Sequence, residues 1–158
     1  MSKDSSTKYS SGYRVGDSAT TAAITVTEAH LVAWSSLTGD WLPIHTDREF
    51  AARSQFGQRL VHGPFTLALA LGLSTQIGLI DRDRTIAWLG LNNLRALAPT
   101  FINDTIRARL TVADVRESRK NPGRYVVTLD YTVLNQRDEQ VMTFASVLMV
   151  KGVPVTDS

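Results

Sequence analysis

The sequence predicts an α+β domain in which a curved antiparallel sheet wraps around one long central helix. Three observations lead there. Residues 64–79 are apolar on nearly every side, which marks a buried helix rather than a surface one. From residue 85 to 150, four stretches rich in β-branched and aromatic residues alternate with short polar turns, the signature of antiparallel strands. The chain has 158 residues, 43% of them hydrophobic and 20% charged, enough for a single core of ordinary size. A helix that is apolar all round needs a concave wall, and a strongly curved sheet supplies one.

In chain order, residues 1–12 are rich in Ser and Lys, bury little, and are expected to form a flexible tail, leaving 13–158 as one domain. Residues 19–26 are small and β-branched and suit a strand. Thr25-Val26-Thr27-Glu28 matches a capping box, residues 29–37 have helical apolar spacing, and Gly39 stands where a left-handed turn would end that helix. Pro43 has a fixed φ and biases Leu42 away from the helical region, so a stiff loop is expected between Asp40 and His45 rather than a helical turn. Thr46-Asp47-Arg48-Glu49 is a second capping box and predicts a helix of about two turns. Gly63-Pro64 opens the central helix. The strands are 85–97, 105–115, 125–134 and 141–150, the last two joined by a hairpin connection. In the second, Ile106, Ala108, Leu110 and Val112 share one face, while Arg107, Arg109 and Thr111 share the other. A sheet around a central helix is the arrangement called a hot dog. Its open edges imply that two copies pair.

Composition excludes several classes of function. Seventeen Lys and Arg against fifteen Asp and Glu leave a net charge of +2, with no basic cluster interleaved with aromatics, so no nucleic-acid partner is expected. With no cysteine, thiolate nucleophiles, disulfides and Cys-based zinc sites are excluded. Three dispersed histidines predict no metal site. The first twelve residues lack the apolar core of a signal peptide, and no apolar run approaches membrane-spanning length, so a cytoplasmic protein without a membrane partner is expected.

The chemistry is concentrated in residues 36–74. Asp40 precedes His45 by five residues, and His62-Gly63-Pro64 opens the central helix. The first backbone N–H groups of a helix have no intrahelical acceptor and point out of its N-terminus. A carboxylate, an imidazole and a donor amide are the parts needed to move protons beside a polarised carbonyl. Trp41, Leu42, His62 and Pro64 flank these groups and are expected to line the substrate pocket. His30 is expected to have no functional role.

The ordered segment Leu37-Thr38-Gly39-Asp40-Trp41-Leu42-Pro43-Ile44-His45, followed by Val61-His62-Gly63, resembles the MaoC-like family, whose best-known members are the (R)-specific enoyl-CoA hydratases. The motif region covers about a quarter of the chain. The resemblance implies hydration of a 2-enoyl thioester, or the reverse dehydration, with Asp40 and His45 sharing the proton transfers and the Gly63 N–H stabilising the enolate. It implies no separate cofactor, since coenzyme A or a carrier-protein pantetheine is part of the substrate, and a homodimer or a dimer of dimers. Two positions depart from the family pattern. Leu42 replaces an Asn, and Leu71 stands where a polar residue, commonly Ser, is frequent. Two rival expectations follow: a thioesterase on the same fold, or a catalytically silent acyl-thioester-binding subunit.

Overall fold

The alternation in the second long strand builds the sheet. In β5 (Thr105–Glu117), Ile106, Ala108, Leu110 and Val112 are all fully buried, and the residues between them face outward. The computed structural model describes residues 9–154. Strand β5 pairs antiparallel with β6 (Arg124–Leu134), and β6 pairs with β7 (Gln140–Lys151). Strand β7 pairs in turn with β4 (Thr85–Ala96), which forms one edge of the sheet. At the other edge β2 (Ser18–Thr20) lies on β5, and β3 (Ile24–Thr25) pairs with the beginning of β5. The strand expected over 19–26 is therefore two short strands. The break is local: the Thr21 hydroxyl accepts from Ala108 N–H and occupies a ladder position.

Helix α1 (Glu28–Thr38) ends as expected, with Gly39 in the left-handed region at φ 76°. Its N-terminus differs from the sequence expectation. Thr27 is the cap, and the third helical residue is His30, whose Nδ1 accepts from Thr27 N–H at 2.9 Å. His30 thus has a structural role that the residue types alone do not suggest. Helix α2 (Pro43–Thr46) corrects the stiff-loop expectation. Pro43 begins one helical turn, where its missing N–H costs nothing, so His45 sits on a helix and only Asp40 on a loop. Helix α3 (Arg48–Ala52) has five residues, shorter than two turns, and is capped by Asp47 accepting from Phe50 N–H at 2.9 Å.

The central helix α4 (Gly63–Ser74) packs on the concave face of the sheet, as the α+β hot-dog reading expects. It stops five residues short of the apolar run, which continues in turns. Thr66, Ala70, Leu73 and Ser74 form its buried stripe. Pro64, Ala68 and Gly72 form an exposed stripe, so the sheet of one chain covers only part of this apolar helix. Strand β4 presents exposed Trp88, Leu89 and Leu94, with register shifts on either side of Gly90–Asn92.

The tail expectation also changes. Residues 9–12 belong to the fold: β1 (Tyr9–Ser10) pairs with β8 (Val153–Pro154). Arg84 clasps this pair, donating to the carbonyls of Ser11 and Lys151. A Cβ at Gly12 would lie 2.6 Å from its guanidinium. Residues 1–8 and 155–158 of the expected tail and domain lie outside the described residues. Among the described residues, no helix is long and apolar enough to cross a membrane.

Candidate active site

Four elements meet around one buried imidazole. His62 caps α4 and has no exposed surface. Its ring stacks on His45 of α2, with centroids 3.9 Å apart and an interplanar angle of 27°. Trp34 of α1 lies tilted against it at 6.5 Å. His62 Nε2 lies 3.2 Å from the Asp40 carbonyl oxygen and 3.3 Å from Ser35 Oγ. A carbonyl only accepts, so Nε2 carries the proton. His62 Nδ1 is buried with no hydrogen-bond partner.

The same reasoning fixes the tautomer of His45. Its Nδ1 lies 2.9 Å from the Leu60 carbonyl oxygen and must donate to it. In the neutral ring Nε2 is then a bare lone pair, ready to accept a proton. Leu60 is itself held by a bridge to Phe101 and by its N–H donating to the Ile44 carbonyl. Asp40 follows the left-handed Gly39, and its Oδ1 accepts from Leu42 N–H at 3.3 Å, an Asx turn. Its other oxygen is 4.0 Å from His62 Nε2, and its side chain is 35% exposed.

One polar atom from each of Asp40, His45 and His62 lies within 4.8 Å of the others. The stacked arrangement of the imidazoles does not suit a shared cation. In-plane lone pairs on two nearly parallel rings run side by side and do not converge on one ion. Burial holds the His62 imidazole below its ordinary proton affinity. The hydrogen bond to the Asp40 carbonyl partly opposes this, the neighbouring His45 adds to it, and the Asp40 carboxylate opposes it.

A cavity of about 340 Å³ opens beside this group, lined by His45, Gly63, Thr66, Phe56, Leu97 and Met142 among others. Gly63 is the first residue of α4 and Pro64 has no N–H, so the Gly63 amide is a free donor at the rim. Among the described residues, nothing outside its chain neighbours and its own helix backbone lies within 4 Å of a Cβ built on Gly63, so the glycine has open space beside it.

The structure brings Asp40 and His45, two of the residues singled out for chemistry, into one cluster with His62, and it lines the cavity with His45 and Gly63 while Asp40 lies outside that wall. It does not place all the expected pocket residues in the wall. His62 is wholly buried beneath His45 and offers no surface to a ligand, because the cap position of α4 turns its ring into the core. Trp41 borders a smaller pocket of about 90 Å³ on the other side of His45, with Ser35 and Arg59. Leu42 is 58% exposed and, like Pro64, lies outside the cavity wall. No side chain of this loop replaces the polar group that the family pattern has at Leu42. Ser35 and the Leu60 carbonyl were not readable as site groups. The first is one of many helical serines, and the second is main chain.

In sequence and in fold the chain is similar to known proteins. The MaoC-like domain model matches residues 11–135. Protein MaoC of Klebsiella aerogenes is 41% identical over 104 residues, which is 66% of this chain and 30% of that protein. The (R)-specific enoyl-CoA hydratase of Aeromonas caviae is 31% identical over 91 residues, 58% of this chain and 65% of its own. Both matches span less than two thirds of the relative's length. A solved (R)-hydratase from A. caviae has a TM-score of 0.74 at 27% identity, covering 88% of this chain and 98% of that one. The structure described as a monoamine oxidase regulatory protein from Archaeoglobus fulgidus has a TM-score of 0.86 at 33% identity, covering 94% of this chain and 97% of that one. This chain belongs to the MaoC-like domain family.

Proposed function

We propose that this protein is a hydratase/dehydratase acting on a 2-enoyl thioester, with coenzyme A or a carrier-protein pantetheine as the thiol. The observation that carries the reading is the bare Nε2 of His45, fixed by the Leu60 carbonyl, in one cluster with the Asp40 carboxylate and beside a cavity rimmed by the Gly63 amide. The names of the hydratase relatives support the same reading.

The thioester oxygen accepts from Gly63 N–H at the positive end of α4, which stabilises negative charge as it develops. Water lies between Asp40 and His45. Its oxygen bonds to the β-carbon as one of its protons passes to the pair, and the pair returns one proton to the α-carbon of the enolate, so that Asp40 and His45 end in the protonation state in which they began. The pair is coupled, so the two transfers belong to it jointly. The acyl group occupies the cavity beside His45. Polarisation by an amide and proton transfer by side chains call for no additional cofactor.

Two copies of the chain pair through the edge of β4 in this proposal, covering Trp88, Leu89 and Leu94 and the open stripe of α4. A coenzyme A thioester substrate supports a cytoplasmic location.

Crotonyl-CoA tests the reaction. Loss of the enoyl absorbance without release of free thiol is the expected result. Thiol release with the double bond intact identifies a thioesterase, and binding without either change identifies a silent subunit.

A further inference from the structure

His62 is buried without a ligand-facing surface, yet it touches more of the site than any residue expected to act on substrate. Its ring lies between Trp34 and His45, and its Nε2–H reaches the Asp40 main chain and the Ser35 hydroxyl. We propose that His62 is a positioning residue that sets the ring of His45 and the main chain of Asp40 in register with each other. This rests on the hydratase reading, which assigns the proton transfers to those two residues.

The geometry gives His62 two separable contributions. Its face supports His45 at 3.9 Å, a contact that any flat ring of similar size would make. Its Nε2–H holds the Asp40 carbonyl at 3.2 Å, a contact that needs a donor at that point. Asp40 stands on a loop: its N–H donates to Thr38 Oγ1, and among the described residues its carboxylate otherwise accepts from Leu42 N–H in the Asx turn. Losing the Nε2–H contact loosens the loop at Asp40 itself, although Thr46 Oγ1 still donates to the Trp41 and Leu42 carbonyls.

A protonated His62 would place a second N–H, on Nδ1, in a buried position without an acceptor. It would also set a cation face to face with His45. The ionisable groups facing His62 are His45 from α2 and Asp40 from the loop after α1. The remaining neighbours, Trp34 and Ser35, are uncharged. The ring therefore stays neutral while its neighbours exchange protons, which agrees with the lowered proton affinity produced by burial.

The test pairs two variants of the full-length protein with nitrogen NMR of labelled histidine. His62→Phe keeps a flat ring without a donor, and His62→Gln places an amide N–H near the position of Nε2 without a ring. In His62→Phe, kcat for crotonyl-CoA should fall about 10²-fold, the cost of a misplaced group about 1 Å from its working position. KM should stay within about twofold, because no substrate contact is lost, and His62→Gln should recover at least about tenfold of the lost kcat. Wild-type His62 should show the Nε2–H tautomer at neutral pH, and its titration midpoint should lie below the ordinary histidine value. Wild-type kcat in folded His62→Phe, or no recovery in His62→Gln, overturns the proposal. So does an Nδ1–H tautomer, or a His62 titration midpoint at or above the ordinary histidine value.

If the wild-type protein does not hydrate crotonyl-CoA, the functional reading fails separately. The positioning claim is then decided by the amides of Trp41 and Leu42. They should shift and exchange faster in His62→Phe but remain near wild type in His62→Gln, and unchanged amides overturn it. If His62→Phe does not fold, the wild-type tautomer and His62→Gln decide the claim in the same way.

Discussion

His45 and His62 lie ring on ring, 3.9 Å between centroids, and each has one nitrogen tied to a main-chain carbonyl. The carbonyls belong to Leu60 and Asp40, so the two rings have opposite tautomers. His45 is protonated on Nδ1 and His62 on Nε2. The working nitrogen of His45 is thereby left bare, and the working end of His62 is occupied.

Removing either proton-transfer group should abolish turnover without unfolding the protein. Asp40→Asn and His45→Gln should each lower hydration of crotonyl-CoA by at least about 10²-fold, the lower end of what positioned acid–base groups contribute. Asp40 and His45 are only half-buried, so the melting temperature should move little. Steady-state kinetics and thermal melts of the same samples check both statements.

Gly63→Ala separates stability from activity. Among the described residues its Cβ meets nothing within 4 Å beyond its chain neighbours and its own helix backbone, and Gly63 lies in the first turn of α4. Alanine should leave stability unchanged or raise it by up to about 1 kcal/mol, because it restricts the unfolded chain. Activity should fall by about 10²-fold or more as the methyl pushes the thioester oxygen from its donor, comparable to losing an oxyanion donor. Urea unfolding alongside kinetics reads both effects.

Acid should destabilise the protein through His62. Burial lowers the proton affinity of the folded-state ring, so below about pH 6.5 the unfolded chain binds a proton that the folded chain does not. The contribution is fully present above that pH and is lost as pH falls toward the folded-state value. Denaturant titrations from pH 7.5 to 5.5 should therefore show falling stability in the wild type and a flatter profile in His62→Gln.

The edge of β4 should govern association. Leu89→Lys and Leu94→Lys place charge among apolar side chains that a single chain leaves exposed. Light scattering should give twice the chain mass of 17.4 kDa for the wild type and the single-chain mass for the double variant. A monomeric wild type contradicts the proposed pairing.

The legible parts of the sequence were those fixed by periodicity and by strong local residues. Alternation in β5 identified the sheet, Gly39 stopped α1, and Gly63-Pro64 started α4. Boundaries that depend on competing hydrogen bonds were not legible. The capping box headed by Thr25 is not the one that forms: Thr27 is the cap, and His30 Nδ1 accepts its N–H. Pro43 was read as stiffening a loop, yet the same fixed φ suits the first turn of a helix. In the site, Asp40, His45 and Gly63 could be grouped because their chemistry is carried by residue type. The Leu60 carbonyl could not, since every residue has one and it is the tertiary bridge to Phe101, with the Leu60 N–H to the Ile44 carbonyl, that aims this one at His45. Trp41 and Leu42 were adjacent to the motif in sequence, but the turn after Gly39 directs them away from the cavity wall.

The central claim is that Asp40 and His45 act on one oxygen opposite the Gly63 amide. A crystal structure of the His45→Gln variant with bound 3-hydroxybutyryl-CoA measures this most directly. The substrate hydroxyl should lie within hydrogen-bond distance, about 3 Å, of both the Asp40 carboxylate and the residue 45 side chain, with the thioester oxygen on Gly63 N–H. A hydroxyl bound away from Asp40, or a thioester carbonyl that ignores the start of α4, would contradict the account.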